Sequence, residues 1–172
     1  MNSDKIGGSV DLLLQEISGN SLEDFASKYP HPFLVLEGEI QGADDEGHTT
    51  SKGCIVNVIE RKVDKQIHPV VERPDSSPFA FLSIGRSSQN HIVIRHNLVS
   101  KVHLIIDMEG DDFVIRDAGS RNGSTLNNEP LLVKVRKKLQ DGDTITLADR
   151  IIVRFFSPTS AYRWLESQRS KG

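Results

Sequence analysis

Three polar clusters interrupt the apolar runs of this chain, and together they could bind an anion. They read SIGRSSQNHIVI (83–94), RHNLVSKVHLII (95–106) and RDAGSRNGSTLNNEP (116–130). If they met on one surface, that surface would hold Arg86, Lys101 and Arg121 beside many hydroxyl, amide and backbone N–H donors, with Asp117 as its carboxylate. An arginine fork grips two phosphate oxygens, and a lysine adds a point charge. The donor set therefore predicts phosphate binding.

The elements that would position these clusters are short strands. Apolar runs follow one another from Phe33 onward, separated by turn signals such as MEGDD, SRNGS and LQDGD. The runs are PFLVLEGEI, CIVNVIE, HPVVER, PFAFLSIG, HIVIR, VHLIIDM, DFVIRD, PLLVKV, DTITLAD and RIIVRFFS. Many short strands with this punctuation favour an all-β sandwich of two antiparallel sheets, which we place at residues 33–157. Loops at one end of a sandwich would bring the three clusters together.

Short helices are predicted on both sides of the sandwich. Residues 9–18 carry apolar side chains at i, i+3, i+4 and i+7, and Ser21 with Asp24 resembles a capping box. We expect an N-terminal helical extension over residues 1–32 and a closing helix over 158–172. Because two short helices bury little by themselves, we expect the N-terminal pair to pack on the rest of the chain.

Composition narrows the class of protein. The chain has 172 residues and a net charge of -3, which argues against a general attraction to nucleic acid. Its single cysteine, Cys54, cannot form an internal disulfide, which favours a reducing compartment. No run resembles a signal peptide or is long enough to span a membrane. These features predict a cytoplasmic protein that binds neither membrane nor nucleic acid.

The order of the polar motifs resembles the forkhead-associated (FHA) domain over about residues 79–156. That family's pattern is Gly-Arg, then Ser-x-x-His, then Ser-x-Asn-Gly-Thr with a further Asn. The matching residues here are Gly85, Arg86, Ser100, His103, Ser120, Asn122, Gly123, Ser124 and Asn127. The later LQDGDTITLAD is also similar to the family's Leu-x-x-Gly-Asp-x-Ile segment.

The resemblance implies a β-sandwich that recognises phosphothreonine in partner proteins. Carried over by motif, Arg86 and Ser100 would bind the phosphate, and Asn122 would hold the partner's backbone. Lys101 follows that serine and would add a phosphate contact, or would be a solvated lysine. Arg121 lies beside the phosphopeptide position in the family, and is either a phosphate ligand or a bystander.

The remaining motif residues are implied to support the site. His103 and Asn127 would brace the recognition loops from inside, and Gly85 and Gly123 would permit close turns. Ser124 stands where the family has Thr, so it keeps the hydroxyl and loses the methyl group.

Enzymatic and metal-binding readings are weaker. Ser100, His103 and Asp117 are the residue types of a hydrolase triad, but the spacing does not give the geometry and no Gly-x-Ser-x-Gly elbow occurs. His91 and His96 with His103 fit no zinc spacing. We therefore expect no catalysis, no metal and no cofactor.

Two functions follow, in order of preference. The first is a phosphothreonine-dependent adaptor module in signalling, whose partner would be a Ser/Thr kinase or a kinase substrate. The alternative is a non-catalytic scaffold that binds partners independently of phosphate through another face, such as the N-terminal helices.

Overall fold

The structure is a computed structural model that describes residues 10–39, 65–71 and 81–169. The helices are α1 (Val10–Ile17), α2 (Leu22–Lys28) and α3 (Pro158–Arg169). The strands are β1 (Phe33–Glu39), β2 (Gln66–Pro69), β3 (Phe81–Gly85), β4 (Ile92–Val93), β5 (Leu104–Glu109), β6 (Asp112–Asp117), β7 (Ser124–Leu126), β8 (Glu129–Pro130), β9 (Lys137–Lys138), β10 (Thr144–Leu147) and β11 (Ile151–Phe156). The strand predicted from CIVNVIE lies outside the described residues.

The described strands form two sheets, which confirms the predicted all-β sandwich. One has the order β2-β1-β11-β10-β7-β8 and the other β4-β3-β5-β6-β9. Pairing is antiparallel except between β3 and β4. Burial alternates along β11, so one face of that strand enters the core, as period-two patterning requires. Both sheets contribute to a single apolar core that includes Leu36, Ile84, Ile106, Ile115, Ile145 and Val153.

The three helices pack on the outer face of the first sheet at β1, β2 and β11. Alternate residues of β1 divide between two clusters, because Leu34 and Leu36 join the sandwich core while Phe33 and Val35 join the helices. Phe25 of α2 is 1% exposed, and its ring centroid lies 5.8 Å from that of Phe33. The predicted terminal helices therefore form, and they pack on the rest of the chain as expected.

Helix α2 begins where the sequence predicts it. Ser21 Oγ accepts a hydrogen bond from the Asp24 backbone N–H at 3.2 Å, and the Asp24 carboxylate accepts from the Ser21 backbone N–H at 3.2 Å. This capping box satisfies donors that the first turn of a helix leaves open. None of the helices in the described part of the chain is long and apolar enough to cross a membrane.

One strand prediction in the second half of the chain was wrong. The run PLLVKV (130–135) was predicted as a strand, but beyond Pro130 it forms only an isolated bridge from Val133 to Asp117. The chain here passes from β8 in one sheet to β9 in the other, and Lys134 has a φ of 63°, which no strand accommodates. Conversely, the short strand β7 was not predicted.

Antiparallel pairing brings three loops to one end of the sandwich. In the register, Ile84 near the end of β3 pairs with Leu104 at the start of β5, which pairs with Asp117 at the end of β6. The connections beyond these residues therefore lie at the same end. We name them the first loop (86–91), the second loop (94–103) and the third loop (118–123).

Candidate functional site

Backbone hydrogen bonds hold the first loop against the second. The Arg86 N–H donates to the Ser100 carbonyl at 2.9 Å, and the Ser87 N–H donates to the Lys101 carbonyl at 3.2 Å. Arg86 is exposed and Ser100 is half-buried. The first arginine of the predicted site therefore lies directly beside the predicted serine, although fourteen positions separate them in the sequence.

Glycine at position 85 is required by this close approach. A Cβ atom there would lie 2.4 Å from the Lys101 carbonyl oxygen and 2.9 Å from Asn90 Nδ2. Real Cβ contacts are not that short, so any side chain would push the two loops apart. Asn90 is buried, and its Nδ2 donates to the Ser87 carbonyl at 2.9 Å and the Lys101 carbonyl at 2.5 Å.

The third loop is bonded to the second through side chains. Ser100 Oγ accepts a hydrogen bond from the Arg121 backbone N–H at 2.9 Å. Asn122 Nδ2 donates to the Leu98 carbonyl at 2.8 Å. Four residues predicted to form the site, Arg86, Ser100, Arg121 and Asn122, are thus linked across three loops.

His103 is the last residue of the second loop and is 0% exposed. Its Nδ1 accepts from the Ser100 N–H at 3.1 Å, so Nε2 carries the proton and donates to the Gly123 carbonyl at 3.1 Å. Burial lowers the pKa of His103, which outweighs the opposing effects of the Gly123 hydrogen bond and of the Asp117 charge. The imidazole is therefore neutral at physiological pH, and it connects the two loops as a fixed donor and acceptor.

Asp117 holds the third loop from its buried end. Its Oδ1 accepts from the Gly119 N–H at 2.8 Å and the Ser120 N–H at 2.6 Å. Its Oδ2 accepts from Ser120 Oγ at 2.7 Å and Ser124 Oγ at 3.1 Å. Burial raises the pKa of Asp117, but these hydrogen bonds together outweigh it and hold the pKa below its usual value. The carboxylate is ionised, and its lone pairs are used inside the loop.

Asn127 lies away from the three loops. At a φ of 52°, it accepts from the Thr144 N–H at 2.9 Å through Oδ1 and donates to Asp143 Oδ1 at 2.7 Å through Nδ2. These bonds join the end of β7 to the start of β10. Asn127 therefore contacts the loops only indirectly, through the strand that continues from the third loop.

All three cations that the sequence predicts for the site lie at this end of the sandwich. Arg86, Lys101 and Arg121 are exposed, and within the described residues none of their side chains forms a hydrogen bond or an ion pair. Cations on the flank of the second sheet differ, since Arg116 pairs with Asp107 at 2.9 Å and Lys138 with Asp112 at 2.6 Å. The loop end thus combines unpaired positive charge with fixed neutral donors.

The geometry does not form the nucleophile and base of a hydrolase. His103 Nδ1 contacts the backbone N–H of Ser100, while Ser100 Oγ is bonded to the Arg121 N–H. Among the described residues, no group of His, Cys, Asp and Glu has the arrangement of a metal site.

Residues 82–148 match the family model of the FHA domain. This part of the chain is an FHA domain. The match begins within β3 and ends just after β10, so it includes all three loops and leaves β1, β2, β11 and the helices outside it.

Two curated proteins are similar to part of this chain. Protein FraH of Nostoc sp. is 47% identical over 58 residues, which cover 34% of this chain and 20% of that protein. An FHA domain-containing protein of Arabidopsis thaliana is 36% identical over 84 residues, which cover 47% of this chain and 22% of that protein. The chain thus spans about a fifth of the length of each.

Solved FHA domains have a similar fold. The solution structure of the FHA domain of an Arabidopsis thaliana hypothetical protein has a TM-score of 0.50 and 23% identity, covering 74% of this chain and 85% of that one. The N-terminal FHA domain of Rad53p from S. cerevisiae, solved with a phosphothreonine peptide, has a TM-score of 0.50 and 15% identity, covering 78% and 98%. At these identities the likeness establishes the fold.

Two features of the site were not predicted from the sequence. Asn90 was not singled out, because its two acceptors lie on separate loops and no local pattern marks such a contact. Asp117 was considered as a lone carboxylate, although Asp followed by Ala-Gly-Ser is a typical Asx turn in which the side chain accepts backbone N–H groups.

Proposed function

We propose that this FHA domain is a phosphothreonine-dependent protein-binding module that docks partner peptides on its three loops. The observation that carries the proposal is the bonded group of Arg86, Ser100 and Arg121 at the loop end. The backbone of Arg86, whose side chain pairs with no described residue, is bonded to Ser100, and the Ser100 hydroxyl already accepts one hydrogen bond from Arg121. Membership of the FHA family supports the same ligand class.

Each loop contributes a different kind of contact to the phosphate. Arg86 grips two phosphate oxygens, and Ser100 donates its hydroxyl proton to a third. Lys101 and Arg121 flank this pair and supply further positive charge to the dianion. Because hydrogen bonds to charged groups each contribute about 1.5–3 kcal/mol, a few such contacts distinguish a phosphorylated from an unphosphorylated threonine.

We assign Asn122 and Leu98 to contacts with the peptide residues around the phosphothreonine. The Asn122 amide is oriented by its bond to the Leu98 carbonyl, and Oδ1 remains to accept a backbone N–H of the partner. Leu98 is half-buried in the second loop, and by the family resemblance this position favours an apolar partner residue three positions after the phosphothreonine. Partners of this kind are Ser/Thr kinases or their substrates, in a signalling role.

The supporting residues keep the three loops in place before a ligand arrives. His103 joins the second and third loops, Gly85 lets the first two approach, and Ser124 adds to the bonds on Asp117. Preformed loops lose little conformational entropy on binding, which favours affinity. Gly123, with a φ of 72°, makes the turn that presents its carbonyl to His103.

An oriented phosphothreonine peptide library tests the proposal on the full chain. We expect enrichment of phosphothreonine peptides over matched phosphoserine peptides, and no enrichment of unphosphorylated ones. Equal retention of phosphorylated and unphosphorylated peptides would instead support a phosphate-independent scaffold.

A further inference from the structure

A strained turn beside the third loop presents aliphatic side chains to solvent. We call residues 132–135 the apolar turn, since it contains Leu132, Val133 and Val135, which are 64%, 53% and 43% exposed. Single exposed aliphatic residues are common on protein surfaces, but three within four residues form a patch that suggests contact with a partner.

The conformation of the apolar turn is held from both sides. The Val135 N–H donates to the Leu132 carbonyl at 3.0 Å and closes the turn. On either side, Leu131 and Leu139 are each 4% exposed and anchor the chain in the core. The aliphatic side chains are therefore exposed by a defined backbone rather than by a frayed end.

The backbone of the turn is strained. Lys134 has a φ of 63°, a left-handed conformation that is unfavourable for a residue with a Cβ. Strain of this kind persists where the surrounding structure imposes it, and it concentrates at functional sites. A glycine or asparagine would relieve the strain at Lys134, yet the sequence has a lysine that no described residue pairs with.

The apolar turn is continuous with the proposed phosphopeptide site. The Lys134 N–H donates to the Asp117 carbonyl at 3.2 Å, and Val133 forms a parallel bridge with Asp117. A Cβ placed on Gly119 would lie 4.0 Å from Val133 Cγ1. The turn thus contacts the third loop where that loop follows β6. Farther along the third loop, the Arg121 N–H bonds to Ser100.

From this arrangement we propose that the apolar turn is a second contact surface for the same phosphothreonine partner, and that it selects an aliphatic residue away from the phosphothreonine. The inference rests on the proposed function, because the occupant is the continuation of the bound peptide. Because the turn is bonded to Asp117 at the base of the third loop, a peptide anchored at Arg86 and Ser100 that extends across this loop would reach the turn. Burial of a Leu-sized side chain there would strengthen binding roughly tenfold.

A library of phosphothreonine peptides, degenerate on both sides of the phosphothreonine, identifies the selected position. The wild-type chain is compared with the double variant Leu132→Ser/Val135→Ser, whose positions are exposed enough to leave the core intact. Leu12→Ser is the matched control, since Leu12 is 63% exposed but lies on α1. The selected peptide and its serine-substituted counterpart are then titrated against all three proteins.

We expect the wild-type chain and Leu12→Ser to bind the aliphatic peptide roughly tenfold more tightly than the serine peptide, and the double variant to bind both alike. Unchanged aliphatic selection in the double variant would overturn the inference while leaving phosphothreonine binding intact. Sedimentation that shows a wild-type dimer and a monomeric double variant, with unchanged peptide selection, would assign the turn to a second copy of the chain. Failure of the wild-type chain to prefer phosphorylated peptides would overturn the proposed function and this inference together.

Discussion

Ser100 Oγ lies 2.9 Å from the backbone N of Arg121 and accepts its hydrogen bond. This one contact joins the second and third loops at the point where the proposed phosphate binds. It also leaves the hydroxyl proton available, because an oxygen that accepts from the Arg121 N–H keeps its own proton to donate elsewhere. The serine is therefore a structural link between two loops, and its remaining proton suits the phosphate contact that we propose.

Replacing Ser100 by alanine removes both the link between the loops and the proposed phosphate contact. We expect Ser100→Ala to weaken phosphopeptide binding by roughly tenfold, because one hydrogen bond to a charged group is lost. We also expect it to lower the free energy of unfolding by about 1 kcal/mol. Calorimetric titration and urea unfolding measure the two effects. Ser88→Ala is the control, because Ser88 is exposed in the first loop, and equal behaviour of the two variants would contradict the assignment.

Gly85 is predicted to be intolerant of any side chain. The Cβ of Gly85→Ala would meet the Lys101 carbonyl, so we expect a loss of about 1–3 kcal/mol in the free energy of unfolding, as for overpacking in a well-packed site. Phosphopeptide affinity should fall as well, because the first loop moves away from the second. Gly19→Ala is matched chemically but meets nothing within 4 Å, and its unfolding curve should resemble that of the wild type. A Gly85→Ala protein as stable as Gly19→Ala would disprove the close approach.

Asp117→Asn tests the carboxylate that holds the third loop. Asparagine has only one acceptor oxygen for the four donors, so we expect a loss of about 2–3 kcal/mol in stability at neutral pH. Because the folded pKa of Asp117 lies below 3.8, its stabilisation is present above that pH and disappears as the pH falls through the folded pKa. The difference between wild type and Asp117→Asn should therefore shrink in acid. A stability difference that stays constant from pH 7 to pH 2 would contradict this role of the Asp117 carboxylate. Asp111→Asn is the control, because Asp111 is exposed.

His68 on β2 is predicted to make the fold sensitive to mild acid. Burial lowers the pKa of His68 to about 4 from an unperturbed 6.5. The folded state thus resists protonation, so stability is full above pH 6.5 and decreases as the pH falls from 6.5 toward 4. Unfolding in this range should take up about one fewer proton in His68→Gln than in the wild type. Urea unfolding at several pH values measures this, with exposed His31→Gln as control, and an unchanged pH dependence would exclude His68 as the source.

The sequence was most informative where a motif combines residue type with position relative to a strand end. Gly85-Arg86 and the Ser100-x-x-His103 segment could be placed because apolar runs define the adjoining strands, and turn residues mark where each loop begins. Contacts between loops could not be predicted in this way. The bonds of Asn90 to Lys101 and of Asn122 to Leu98 depend on how two sheets align the loops, which no local pattern encodes.

The run PLLVKV shows the limit of hydrophobic patterning. Its aliphatic residues favour a strand, but Leu131 alone faces the core while Leu132 and Val133 are exposed. The chain must cross between the two sheets here, and the turn at Lys134 interrupts the strand. Tertiary geometry therefore overrode local propensity at the place where we infer a contact with the partner.

Arg86 gives the most direct test of phosphate recognition. A library-selected phosphothreonine peptide and its unphosphorylated counterpart are titrated against the wild-type chain, Arg86→Ala and Arg163→Ala, the last removing an exposed arginine of α3. We expect the wild type and Arg163→Ala to prefer the phosphorylated peptide strongly, and Arg86→Ala to lose at least tenfold in affinity for it while keeping the wild-type unfolding curve. Equal affinity of folded Arg86→Ala and wild type for the phosphorylated peptide would contradict the account.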